Sequence, residues 1–78
     1  MYVRVSTMTG TYLQIDVKLT TTILEIKQEV SRITGARVAS MEFLFGGRKL
    51  RDTATVDDYN IQEGSTLDQT TRFASTSS

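Results

Sequence analysis

The sequence predicts an α+β domain: a mixed sheet of four to five strands packed on one α-helix, with a short 3₁₀ turn late in the chain. Three observations predict it. Two N-terminal segments alternate apolar and polar residues with a period of two. The next segment switches to apolar spacings of 3, 4 and 3 and carries signals at both ends. Short alternating runs separated by glycine turns then follow.

Met1, Val3 and Val5 alternate with Tyr2, Arg4 and Ser6, and Leu13, Ile15 and Val17 alternate with Tyr12, Gln14, Asp16 and Lys18. Both read as half-buried strands. Thr7-Met8-Thr9-Gly10 lies between them as a short hairpin loop with a bulge, with Gly10 able to take a positive φ. Ile23, Ile26, Val30 and Ile33 then form one apolar helical stripe. Thr22-Ile23-Leu24-Glu25 matches a capping box, and Gly35 suits a left-handed cap, so the helix is expected at about 23–34.

Ala36 to Ser40 reads as a linker, and Met41-Glu42-Phe43-Leu44-Phe45 as a strand with Met41 and Phe43 inward. Gly46-Gly47 turns the chain into a short return strand, Arg48-Lys49-Leu50. Thr55, with Asp58 three residues on, caps a turn too short for more than 3₁₀ geometry. Gly64 introduces a last strand near Ser65 to Phe73. Met1, Val3, Val5, Leu13, Ile15, Val17, Ile23, Ile26, Val30, Met41, Phe43, Leu50, Val56, Ile61 and Leu67 are the expected core. Within the last strand, Gln69 falls where the alternation calls for an inward apolar residue. Either the strand frays after Leu67, or Gln69 is only partly covered and Phe73 folds back over the gap.

A chain of 78 residues makes one small domain, here residues 1–73, followed by a polar tail, 74–78, expected to be disordered. It has neither cysteine nor histidine, which removes disulfides, thiolate chemistry and the commonest general base and metal ligand. No catalytic residue, metal site or cofactor is assigned, and an enzyme is not expected. Nine acidic residues balance nine basic ones, so global charge draws the chain to neither nucleic acid nor membrane. No apolar run approaches the roughly 20 residues of a membrane span, and the first residues do not resemble a secretory signal. An intracellular monomer, cytoplasmic or nuclear, is the expectation.

Thr7-Met8-Thr9-Gly10, Phe45-Gly46-Gly47-Arg48-Lys49-Leu50 and Asp58-Tyr59-Asn60-Ile61-Gln62 followed by Ser65-Thr66-Leu67 together resemble the ubiquitin-like family, over residues 1 to 72 without a gap. The resemblance implies the β-grasp fold, with the first and last strands parallel and adjacent. It also implies recognition by partner proteins: ubiquitin receptors, proteasome subunits or related factors. Family modifiers end in Gly-Gly, whereas here Phe73-Ala74-Ser75-Thr76-Ser77-Ser78 follows Arg72. Glycine suits a tail read by close backbone approach. The expectation is an integral, unconjugated domain of a larger protein, the alternative being a covalent modifier with an altered or missing C-terminus. Of the family's chain-linking lysine positions only Lys27 is retained; Arg48 and Glu63 occupy two others. Lys27, on the helix against the sheet, is expected to be structural.

The family's main recognition patch maps onto Met8, Leu44, Asp68 and Thr70, with Gly47, Arg48 and Arg72 bordering it. The alternation independently turns Leu44 outward. An outward Leu beside a Met at a loop tip suits a docking site, and Arg pairs carboxylates at interfaces. One exposed Leu and one exposed Met are also ordinary on a protein surface. Asp68 and Thr70 make the patch more polar and acidic than the family's usual one. Asp57-Asp58 reads as a helix-terminal pair rather than an acid/base site, and Tyr59 as a ring whose hydroxyl ties to nearby backbone. Arg48, Lys49 and Arg51 form a basic cluster. An RNA-binding role is a further alternative, but nucleic acid is an unlikely partner at zero net charge.

Overall fold

The computed structural model describes residues 1–71. The elements run β1 (Tyr2–Ser6), β2 (Tyr12–Asp16), α1 (Ile23–Thr34), a 3₁₀ turn (Val38–Ser40), β3 (Met41–Phe45), β4 (Arg48–Lys49), a second 3₁₀ turn (Asp57–Tyr59) and β5 (Thr66–Thr71). The five strands make one sheet in the order β2-β1-β5-β3-β4. β1 and β5 are parallel neighbours and every other pairing is antiparallel. This mixed sheet with one helix and a 3₁₀ turn is the β-grasp arrangement.

Local chemistry sets the helix ends where the residues predicted them. Thr22 Oγ1 accepts from the Glu25 amide (3.2 Å), and Glu25 Oε1 accepts from the Thr22 amide (2.9 Å). Gly35 closes the helix at φ 80°, its amide donating to Ser31 O. The N-terminal amides of Ile23 and Leu24 donate to the carbonyls of Ala54 and Asp52, which docks the 52–54 loop against the start of α1. A second reciprocal pair joins Thr55 and Asp58 at the later 3₁₀ turn. The segment 36–40, expected as a plain linker, contains a 3₁₀ turn.

One core lies between the sheet and α1, made of Val3, Val5, Ile15, Val17, Ile23, Ile26, Val30, Met41, Phe43, Leu50, Val56, Ile61 and Leu67. Two residues of the expected core, Met1 and Leu13, are not fully buried, and the last residue of the helical stripe, Ile33, is exposed. Met1 is 36% exposed, because its α-amino group is held at the sheet margin by Val17 O (3.1 Å) and faces Asp16 (3.8 Å). Leu13 is only partly buried, packed on the core from the edge strand. Ile33 is 45% exposed: the stripe continues to the last turn, but the core does not extend beneath it.

β5 does not fray after Leu67. It pairs with β3 through Thr71, placing Gln69 opposite Phe43. Gln69 is partly covered, and its Oε1 is buried with no hydrogen-bond partner among the described residues. Arg72, Phe73 and the tail 74–78 lie outside the described residues.

Candidate functional site

The register of the sheet sorts the expected patch residues. Phe43 and Leu67 point into the core, so Leu44 and Asp68, which face each other across β3 and β5, lie on the outer face. Leu44 is half-buried there, and its other cross-strand partner is the exposed Lys49 of β4. Thr70 follows Asp68 on the same face, opposite Glu42. The outer face thus holds one aliphatic side chain framed by a carboxylate, an ammonium and a hydroxyl.

Met8 is 61% exposed at the tip of the β1–β2 loop. Its thioether accepts a hydrogen bond from Thr71 Oγ1 (2.8 Å), tying the loop to the end of β5. The loop is stiffened by hydroxyl contacts among Thr7, Thr9 and Thr11, with Thr7 Oγ1 also donating to Thr11 O. The periodicity gave no notice of this threonine cluster, although its alternate spacing is visible in Thr7-Met8-Thr9-Gly10-Thr11. The hairpin from β3 to β4 supplies the other border. Gly47 takes φ 82°, which a side chain would strain. The Arg48 guanidinium lies 5.9 Å from the centroid of the Tyr59 ring, a cation–π arrangement. Tyr59 is itself anchored, its hydroxyl accepting from the Arg51 amide (2.9 Å).

Lys27 takes no part in the outer face. It is 4% exposed, with Nζ 2.6 Å from Asp52 Oδ1 and 3.9 Å from Glu42 Oε1. Glu42 Oε2 lies a further 3.9 Å from Lys49 Nζ. The alternating charges follow from the docked 52–54 loop, which carries Asp52 to the helix. Sequence spacing could not have paired these residues, because α1, the 52–54 loop, β3 and β4 each contribute one of them. Lys27 is therefore structural, as expected.

The comparisons with known proteins agree with this architecture. The ubiquitin family model matches residues 3–73. The chain belongs to the ubiquitin family. Among its relatives, the Ubiquitin-like protein NEDD8 of Dictyostelium discoideum is 33% identical over 67 residues, which cover 86% of this chain and 87% of that protein. The NEDD8-like protein RUB3 of Arabidopsis thaliana is 31% identical over 67 residues, 86% of each chain. A third likeness within the ubiquitin-family matches is to the Ubiquitin domain-containing protein DSK2 of Saccharomyces cerevisiae, 31% identical over 51 residues, 65% of this chain and 14% of that protein. The described residues contain no helix long and apolar enough to cross a membrane.

Proposed function

We propose that this ubiquitin-family domain is a non-catalytic docking module that presents the outer sheet face around Leu44 to intracellular protein receptors of the ubiquitin pathway or the proteasome. The single supporting observation is the half-buried Leu44 on an otherwise polar face, between Asp68 and Lys49 in register. An aliphatic anchor with a charged surround suits a small interface, in which the anchor supplies affinity and the rim supplies selectivity. Thr70, Met8, Gly47 and Arg48 border the anchor, and Arg72 is assigned to the same border from its sequence position. Asp68 sets a carboxylate on one side of Leu44 and Lys49 an ammonium on the other, which favours receptors with charges of both signs beside their apolar pocket.

The relation to DSK2, whose ubiquitin-like match occupies 14% of its length, supports a domain that works within a larger protein. A second reading, a free-standing modifier, is favoured by the matches that span 86–87% of the NEDD8-like relatives.

The test is titration of isotope-labelled protein with ubiquitin-receptor domains, comparing wild type with Leu44→Ala. Shifts should centre on Leu44, Asp68 and Thr70, and the variant should bind about tenfold more weakly, the effect of losing a buried aliphatic anchor. Equal affinity for Leu44→Ala would reject this face. Thioester formation with a ubiquitin-family activating enzyme would instead support the modifier.

A further inference from the structure

We propose that Met8 is a site of reversible oxidation by peroxides, whose sulfoxide takes a stronger hydrogen bond from Thr71 and so pins the β1–β2 loop to the end of β5. The oxidation and the pinning are independent of the docking face; a further consequence for receptors rests on that reading.

The methionines occupy three different environments. Met41 is 1% exposed in the core, where a peroxide cannot reach its sulfur in the folded protein. Met1 is 36% exposed at the sheet margin, its amine held by Val17 O. Met8 is 61% exposed at the loop tip. Thioether oxidation follows access, so the expected order is Met8, then Met1, then Met41. The step balances with a peroxide alone. A lone pair of Met8 Sδ attacks one oxygen of hydrogen peroxide, forming the S–O bond as the O–O bond breaks. The departing hydroxide takes the proton from the transferred oxygen and leaves as water. Sulfur is oxidised and the peroxide reduced.

Exposure alone makes Met8 open to damage; the partner of its sulfur makes the product structural. The backbone bonds of the loop stay within residues 7–11, with the Thr7 amide donating to Thr11 O and the Gly10 amide to Thr7 O. The bond from Thr71 Oγ1 to Met8 Sδ reaches instead from β5 to the loop. A thioether is a weak acceptor. The sulfoxide oxygen is polar and a stronger one. It forms on an atom already touching the Thr71 hydroxyl, and Met has the rotatable bonds to turn it toward that donor without moving the backbone. Thr71 is held in turn by its pairing with Met41 across β3. In a core, a sulfoxide loosens packing because an apolar contact is lost. Here the sulfur lies at the surface beside a donor, so oxidation tightens the loop.

The same change alters the proposed docking face. Of the side chains assigned to the border of Leu44, Met8 is the apolar one beside Thr70 and Arg48. A sulfoxide there must shed water when a receptor's apolar pocket closes, which weakens binding.

The test treats the 78-residue protein with hydrogen peroxide and follows each methionine by peptide mass mapping. Met8 should oxidise about threefold faster than Met1, with Met41 unmodified while the protein is folded, and methionine sulfoxide reductases of both epimer specificities should restore Met8. Exchange of the bonded Gly10 amide should slow about fivefold on oxidation. That slowing should vanish in Thr71→Val, which lacks the hydroxyl, and return in Thr71→Ser, which keeps it; persisting protection of core amides verifies that both are folded. Oxidation of Met1 before Met8, failure of the reductases to restore Met8, unchanged or faster Gly10 exchange, or slowing that persists in Thr71→Val overturns the proposal. In the receptor titration, oxidation should weaken wild-type binding about threefold and leave the affinity of Met8→Leu where it was before peroxide. Slowed exchange with unchanged receptor affinity overturns the receptor consequence alone. Should Leu44→Ala reject the docking face, the oxidation and exchange results still decide the site.

Discussion

Gln69→Leu should stabilise the protein, and the size of the effect follows from where the side chain sits. Gln69 faces inward on β5 opposite Phe43, beside a cleft of about 340 Å³ bounded by the Met8 loop and the end of α1. Its Oε1 is buried and has no partner among the described residues. The neighbouring hydroxyls are committed elsewhere: Thr34 Oγ1 donates to Val30 O, and Thr7 Oγ1 is shared with Thr9 and Thr11. A buried carbonyl left unpaired costs about 1–3 kcal/mol. Leucine removes that penalty and adds apolar contact with Phe43, worth about 0.8 kcal/mol for each buried methylene equivalent. Because the side chain is only partly covered, a net gain of about 1–2 kcal/mol is expected. For a domain of this size that corresponds to a rise in melting temperature of about 4–16 °C. The assay is chemical denaturation read by far-ultraviolet circular dichroism, with thermal melts alongside and the exposed Gln62→Leu as the control for added hydrophobicity. An equal or lower midpoint for Gln69→Leu, at unchanged denaturant slope, would refute the assignment of Gln69 as an inward residue with an unpaired carbonyl.

Three further outcomes are expected. Asp52→Ala should destabilise by about 1–3 kcal/mol in the same denaturation assay, because it strips the buried Lys27 ammonium of its 2.6 Å partner; the exposure of Asp52 keeps the loss below that of a fully buried pair. Thr22→Ala should lower stability by about 1 kcal/mol and speed amide exchange in the first turn of α1, through loss of the reciprocal cap. Glu29 titrates below its ordinary value of 4.5 because Arg32 hydrogen-bonds its ionised form. Its contribution is therefore present above the unfolded-state value and lost as pH falls through the lower folded-state value. Glu29→Gln should consequently flatten the acid limb of a stability–pH curve below about pH 4.5 and leave its shape near neutrality unchanged; an identical acid limb would contradict this.

Much of this molecule was legible in the residues because the forces concerned act over a few positions. Thr22, Glu25 and Gly35 mark the helix ends through contacts within one turn, and Thr55 with Asp58 does the same for the later 3₁₀ turn. Alternation in the strands and the apolar stripe of the helix identified most core side chains, and alternation turned Leu44 outward, since strand geometry assigns successive residues to opposite faces. Tertiary structure decided what depends on distant segments meeting. It exposed Ile33 by ending the core short of the last helical turn, and it kept Gln69 inward because pairing of β5 with β3 outweighs one unsatisfied carbonyl. It gathered Lys27, Asp52 and Glu42 from a helix, a loop and a strand, and it left β2 as the open edge. Periodicity carries no information about which strand has a neighbour: that is set by the order of the sheet, where chain connectivity and long-range packing jointly act.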